Sequence, residues 1–432
     1  MNQMNLSRRE LLRGAAACTV VGPYVSTACA STRKPGGSEM LRIGLIGCGG
    51  RGTGAAVNAL RADPNVKLVA LADVFPDMLA SSLETLTTSE ETLDLQSKID
   101  VPPERRFTGW DAYKGAIEAC DVVLLATPPH FRPVHLRAAV DAGKHAFVEK
   151  PIATDASGVR SVMETCRLAA EKRLSIVTGL CYRYEHKKRA TIERIRNGAI
   201  GDVVALQCTY NVGELWHRGR APEWTEMEYQ LRNWLYFTWL SGDHVVEQHI
   251  HSLDKLAWVM GGEYPVKATA SGGRAVRTGA EFGNVYDHFD TVFEWSSGVR
   301  GFSSCRQWAG NVATDVSDWV FGTRGKANIQ AAEIEAGPTW RWSWKSEDPD
   351  DMYQNEHDEL FASIRNGEPI ADGDIMCKST LMAILARMSA YTGLTLTWEQ
   401  AMNSREDLTP PAYAFGPIES APLARPGVTQ FV

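Results

Sequence analysis

Residues 41–52 read L-R-I-G-L-I-G-C-G-G-R-G. Gly47, Gly49 and Gly52 fall in the spacing G-x-G-x-x-G, after a short apolar run and before a helix-like stretch, the context in which this spacing binds a dinucleotide. The first glycine permits the tight turn, the second lets the backbone approach a pyrophosphate, and the third lets helix and strand pack closely, with the helix N-terminus facing the phosphates. Gly50 and Arg51 lie inside the loop and belong to the same candidate cofactor site. Asp73 ends the next apolar run. A carboxylate there accepts from the ribose 2′-OH and repels a 2′-phosphate, which predicts NAD rather than NADP. A second group stands far along the chain in G-D-H-V-V-E-Q-H-I-H, residues 242–251. Glu247 and His251 are i and i+4, on one face of a helix. Histidine, with an ordinary pKa of about 6.5, suits removal of a hydroxyl proton at neutral pH. A carboxylate one turn away can orient the imidazole and stabilise its charged form. The two groups together predict oxidation of a secondary alcohol by hydride transfer. His244 shares the face of Glu247 and His251, and two histidines with one carboxylate can also bind a metal. The acid–base reading is preferred, with no metal; His249 points the other way and reads as structural.

The elements that must position these groups alternate at first. Apolar strand-like runs at 41–47, 66–74, 121–129, 145–151 and 175–180 are separated by helical patterns such as 52–63 and 132–144. Continuous apolar strands alternating with helices imply a parallel sheet covered on both faces. Near residue 181 the pattern changes. A helix over about 185–197 and a strand at 203–212 precede a long aromatic-rich stretch, 213–241. A single helix is predicted over 242–262, then alternating strands including 288–298 and 299–308, then two helices near 354–366 and 376–391. The predicted fold is α/β: a doubly wound Rossmann domain at 39–180, then an α+β domain at 181–432 with a large, mostly antiparallel sheet for substrate binding and oligomerisation.

The stretch A-T-P-P-H-F-R-P-V-H-L-R-A-A-V-D-A-G-K-H-A-F-V-E-K-P, with the glycine loop, resembles the Gfo/Idh/MocA oxidoreductases, which include glucose–fructose oxidoreductase and inositol dehydrogenase. The resemblance implies that Lys150, in Glu149-Lys150-Pro151, points at the reacting carbon of a sugar, where it can stabilise a developing alkoxide. The family's D-x-x-x-H frame here reads E-Q-H-I-H, so Glu247 stands in the place of aspartate and His251 matches the histidine. Thr127 and Pro128 match the loop beneath the nicotinamide, and Glu149 joins the cofactor set. Arg183 and Asp254 match positions that line the substrate cleft in relatives. Trp234, in the aromatic stretch, is assigned to the sugar as a stacking platform; a subunit interface or loop core is the competing use of that stretch. Relatives commonly pair through the open sheet face, which implies a homodimer or homotetramer.

The 432 residues carry a net charge of -7, with 44% hydrophobic and 22% charged residues. That is ordinary for a globular protein and gives no field favouring nucleic acid. No apolar run is long enough to span a membrane. The start is different: S-R-R-E-L-L at 7–12 and the apolar run to Ala30 resemble a twin-arginine export signal, which carries folded proteins. Residues 1–30 are read as that signal, with cleavage after A-C-A or, alternatively, lipidation of Cys29, and 31–38 as a linker. The remaining seven cysteines show no metal spacing and are predicted as free thiols. An exported dehydrogenase has no supply of free NAD, so its cofactor must stay bound and be regenerated in place, by a second substrate or an electron acceptor. A glycosidase or lyase that oxidises a sugar transiently meets the same condition. The family includes such enzymes for N-acetylgalactosamine, but they lack the E-K-P lysine. A non-catalytic sugar sensor is the third alternative.

Overall fold

The computed structural model describes residues 39–432. The residues read as an export signal, 1–30 with Cys29, and as a linker, 31–38, lie outside the described residues. Strands β1 (Leu41–Ile46), β2 (Val66–Asp73), β3 (Arg106–Thr108), β4 (Val122–Leu125), β5 (His145–Val148) and β6 (Ile176–Thr178) form one parallel sheet in the order β3-β2-β1-β4-β5-β6. Ile43, Leu45, Val123 and Leu124 have no exposed surface, because helices cover both faces of the sheet. Strand order reverses between β1 and β4. The loops leaving the carboxyl ends of β1, β2 and β4 therefore open a crevice at that point, where sheets of this type bind ligands. The sequence shows five of the six strands; β3 has three residues, mostly exposed at the sheet edge, and no apolar run to mark it.

The second sheet has nine strands. They are β7 (Val203–Val212), β8 (Lys267–Gly273), β9 (His288–Glu294), β10 (Arg300–Gln307), β11 (Asp315–Gly322), β12 (Gly325–Asn328), β13 (Glu333–Ala336), β14 (Trp340–Ser343) and β15 (Leu396–Thr397), in the order β14-β13-β12-β11-β7-β10-β9-β8-β15. Every neighbouring pair is antiparallel except β7 and β10, which run parallel. The helices Ile250–Val259 and Gly373–Thr392 are packed in its core through Leu253, Leu256, Leu381 and Leu385.

Residue 180 divides the sheets but not the cores. The helix Met352–Asn366 returns to the first half, where Leu360, Phe361 and Ile364 share a core with Leu41, Ile43 and Ala55. The Ile176 amide bonds the Ile370 carbonyl, and the Thr178 amide bonds the Asp372 carboxylate. Beyond Asn403 the chain forms no further helix or strand. In that segment Tyr413 and Phe415 pack on Trp110, and Phe415 stacks on Phe75. The seven cysteines of the described residues are free, and six are buried.

The helix predicted over 242–262 is broken. It forms as His244–Glu247 and then Ile250–Val259. The His249 amide reaches back five residues to the His244 carbonyl, at 3.1 Å, a widened turn that interrupts the usual i to i−4 ladder.

Candidate active site

The crevice at the strand-order reversal holds a cavity of about 400 Å³, a size suited to small-molecule ligands. Gly47, Gly49, Arg51, Asp73, Thr127 and Pro128 all lie in its lining. Gly47 has φ +98°, and a Cβ on it would sit 2.6 Å from the Ala126–Thr127 backbone. A Cβ on Gly52 would sit 1.9 Å from the Gly47 carbonyl oxygen, so the third glycine packs on the first. Gly49 and Gly50 differ: nothing lies within 4 Å of a Cβ at either, so a side chain there would fill the cavity. The helix Gly50–Ala62 starts at this loop, with its first amides unpaired by any capping side chain. The Asp73 carboxylate accepts the Cys48 amide at 2.7 Å and the Phe75 amide at 2.9 Å, and burial pushes its pKa up. Each oxygen retains a lone pair for a ribose hydroxyl. The open cradle at Gly49, the helix start and the Asp73 carboxylate fit an NAD dinucleotide.

Arg51 links this loop to the reactive end. Its guanidinium pairs with Glu149 and with Glu356, both at 2.5 Å, and lies over the Tyr353 ring. It therefore acts on the cleft through Glu149, whose carboxylate also accepts the Lys150 amide at 3.0 Å. Lys150 Nζ crosses to the second domain. It donates to the Glu247 carbonyl oxygen at 2.6 Å and to Glu247 Oε1 at 2.8 Å. The break in the helix is what frees that carbonyl for a side-chain donor.

Glu247 was expected to orient the His251 imidazole; the structure pairs it with Lys150 instead, because the widened turn removes the i, i+4 alignment. His251 lies beside them, its ring edge-on to Tyr182 at 5.3 Å, with Nδ1 buried and without a hydrogen-bond partner. Burial first, and then the charges of Lys150, Lys255 and Arg51, push its pKa well below the ordinary value, so the imidazole is neutral at pH 7.

Other expectations divide. His244 does not join a metal face with Glu247 and His251: its Nδ1 faces Asp243 at 3.2 Å and its Nε2 faces Cys305 Sγ at 3.4 Å. No cluster of three or more metal-ligating side chains occurs among the described residues. His249 is fully buried, with Nε2 at 2.7 Å from Ser303 Oγ, as its opposite-facing position implied. Arg183 and Asp254 were expected to line the substrate cleft. They bind each other through two bonds of 2.8 and 2.9 Å, and Ser379 donates to Asp254 as well. Asp254 is buried and Arg183 mostly covered, and the pair uses both carboxylate oxygens, so it ties elements together rather than presenting a free carboxylate to a sugar. Trp234 was expected as the sugar platform. It lines the cavity that also holds Gly49 and Asp73, edge-on to Trp216 at 6.4 Å, where residues 226–236 fold against Asp77 and Phe75 through Arg232.

Asp243 escaped the sequence reading. It is fully buried at φ +75°, and its carboxylate accepts the His244 and Tyr286 amides and the Tyr391 hydroxyl. It fixes the start of the short helix that carries Glu247. A G-D pair ahead of a helix is the only signal the sequence offered.

Residues 41–178 match the family described as oxidoreductase family, NAD-binding Rossmann fold, and residues 189–328 match the GFO/IDH/MocA C-terminal domain. Among curated relatives, an inositol 2-dehydrogenase of Rhizobium meliloti is 24% identical over 343 residues, covering 77% of this chain and 91% of that one. A glycosyl hydrolase family 109 protein of Shewanella pealeana is 24% identical over 225 residues, 48% of this chain and 46% of that one. The chain spans between 44% and 60% of the length of several such relatives. The solved WlbA dehydrogenase of Bordetella pertussis, in complex with NADH and UDP-GlcNAcA, shares the fold with a TM-score of 0.63 at 19% identity, over 83% of this chain and 99% of that one.

Proposed function

The chain belongs to the Gfo/Idh/MocA oxidoreductase family, and from that premise we propose that it is an exported sugar oxidoreductase whose NAD remains bound between turnovers. The observation that carries the reading is the contact of Lys150 Nζ with Glu247, 2.6 and 2.8 Å, which brings the end of the Rossmann sheet against the helix turn beside His251. When bound, NAD accepts a hydride from a carbon bearing a hydroxyl group and can return it. The chain's own groups do the rest. Gly49, the start of the helix Gly50–Ala62 and Asp73 would hold the dinucleotide, and Thr127 and Pro128, which line the same cavity, would lie beside its reactive end. His251, neutral at pH 7, takes the hydroxyl proton on its imidazole. Lys150 donates to the same oxygen as negative charge develops there, and Glu247 keeps the lysine in place.

The export reading is supported by Arg8 and Arg9 ahead of an apolar run, and implies the periplasm or cell envelope. No helix among the described residues is long and apolar enough to cross a membrane. The open face of the nine-stranded sheet, where Phe302 is exposed, is the surface on which we place a homodimer or homotetramer. A second reading, cleavage of a glycoside through transient oxidation, is favoured by the likeness to family 109 proteins.

The test is single-turnover reduction of the bound cofactor by simple sugars and glycosides, followed by nicotinamide absorbance, with mass spectrometry of the products. A ketone product supports net oxidation, and a free aglycone supports cleavage. His251→Ala should slow reduction by roughly 10²-fold or more while leaving NAD bound. An unchanged rate would remove His251 as the base. Denatured protein that releases no nicotinamide nucleotide would end the resident-cofactor reading.

A further inference from the structure

We propose that the irregular loop of residues 213–220, in the second domain, is a cofactor-binding element, and that Arg218 in it is the cation that meets the diphosphate of the dinucleotide. The inference rests on the reading of NAD as a resident group and supplies a device for retaining it.

Trp216 and Arg218 line the same cavity as Gly49 and Asp73, although they belong to the other domain. Three arginines border that cavity. Arg51 is committed to Glu149 and Glu356, and Arg232 to Asp77 and Glu228. Arg218 has no carboxylate partner among the described residues; its guanidinium lies 5.5 Å from the Trp216 ring. The one histidine in the lining, His135, adds no charge, because burial holds its pKa at about 3. A dinucleotide brings two negative charges to this loop. A helix N-terminus offsets about half of one. The unpaired guanidinium is the group left to meet the remainder, and its fork of donors suits phosphate oxygens.

The loop is built to hold that position. It contains no helix or strand, yet buried side chains bond its backbone. Asn233, fully buried, accepts the Arg218 amide at 2.8 Å through Oδ1 and donates to the Arg218 carbonyl at 3.1 Å through Nδ2, gripping one residue from both sides. The Tyr236 hydroxyl donates to the Leu215 and Trp216 carbonyls at 3.2 and 3.0 Å. His217 Nε2 lies 3.1 Å from the Tyr229 hydroxyl. Fixing an irregular segment costs backbone conformational entropy at every residue. What these bonds secure is the placement of Trp216 and Arg218 against the cofactor cavity.

The experiment uses the full chain loaded with NADH and chased with excess ADP-ribose. Release is read by energy transfer from the cavity tryptophans to NADH over a series of salt concentrations, and equilibrium affinity is measured alongside. Arg218→Gln should speed release at least tenfold and flatten its salt dependence, and Arg218→Lys should lie between it and the wild type. The Arg218 side chain has no ion pair to lose, so unfolding temperatures of the nucleotide-free variants should match. Release and affinity unchanged in Arg218→Gln would overturn the assignment, as would faster release with the salt dependence intact, which would mark a role for shape rather than charge. A wild type that itself loses NADH within the mixing time would defeat the resident-cofactor reading instead, and the ratio of affinities would still decide the role of Arg218.

Discussion

Two glycines three residues apart should fail in opposite ways. Gly49 has φ −74° and ψ 178°, which alanine adopts without strain, and a Cβ there meets no atom within 4 Å. Gly49→Ala should therefore leave unfolding free energy within about 0.5 kcal/mol of wild type. The new methyl group would occupy the place where a phosphate approaches the backbone. Loss of one charge-assisted hydrogen bond costs about 1.5–3 kcal/mol, which is roughly 10- to 150-fold in NAD affinity. Gly52→Ala presents the reverse case. Its Cβ would stand 1.9 Å from the Gly47 carbonyl oxygen and 3.1 Å from the carbonyl carbon. These are backbone atoms that cannot rotate away, so the helix must shift from the strand, at a cost of about 1–3 kcal/mol. Thermal unfolding of nucleotide-stripped protein and calorimetric titration with NAD measure the two effects separately. Wild-type affinity in Gly49→Ala, or an unchanged melting temperature in Gly52→Ala, would refute the reasoning.

Asp73→Ala should weaken NAD more than NADP, since only NAD gains from the carboxylate; equal losses in binding titrations would take Asp73 out of ribose recognition. Asp254→Ala should cost about 3 kcal/mol in stability by stranding the mostly covered Arg183 guanidinium; intact denaturant stability with a raised KM would restore the substrate role. Stability should also fall on acidification. His135 and His249 have folded pKa values lowered to about 3 by burial. The unfolded chain binds their protons below about pH 6.5 and the folded chain does not, so each removes about 1 kcal/mol per pH unit as pH drops from there toward 3. Urea unfolding that is flat between about pH 6.5 and pH 4 would contradict this.

The cofactor loop was legible in the sequence because its chemistry is local. Gly47, Gly49 and Gly52 act through backbone geometry within six residues, and the strands that flank them are continuous apolar runs. The reactive end was legible only in part. Lys150 and His251 could be named, but the partner of Glu247 depends on a break set by one i to i−5 bond and on a buried aspartate at positive φ, which helical periodicity does not report. The place of Trp234 was not legible for a similar reason: an aromatic residue in a loop reads alike wherever it packs, and it is the Arg232–Asp77 pair, 155 residues apart, that draws its segment to the crevice. The return of the helix Met352–Asn366 to the first core was invisible because its apolar face carries no mark of which sheet it covers.

The packing of Tyr413 and Phe415 bears on the order in which the protein can be completed on the ribosome. Phe75 and Trp110 form part of the nucleotide wall, and these two rings back it from outside. They are translated after every other residue of that wall. The nascent chain thus exposes its glycine loop and Asp73 hundreds of codons before the wall behind them can be finished, and loading of the nucleotide belongs after translation of this segment. A stop codon just ahead of Tyr413 would yield a protein that keeps each glycine and charged group of the site but has an unsupported wall. In a cell, such a product would show itself as accumulated protein without nucleotide.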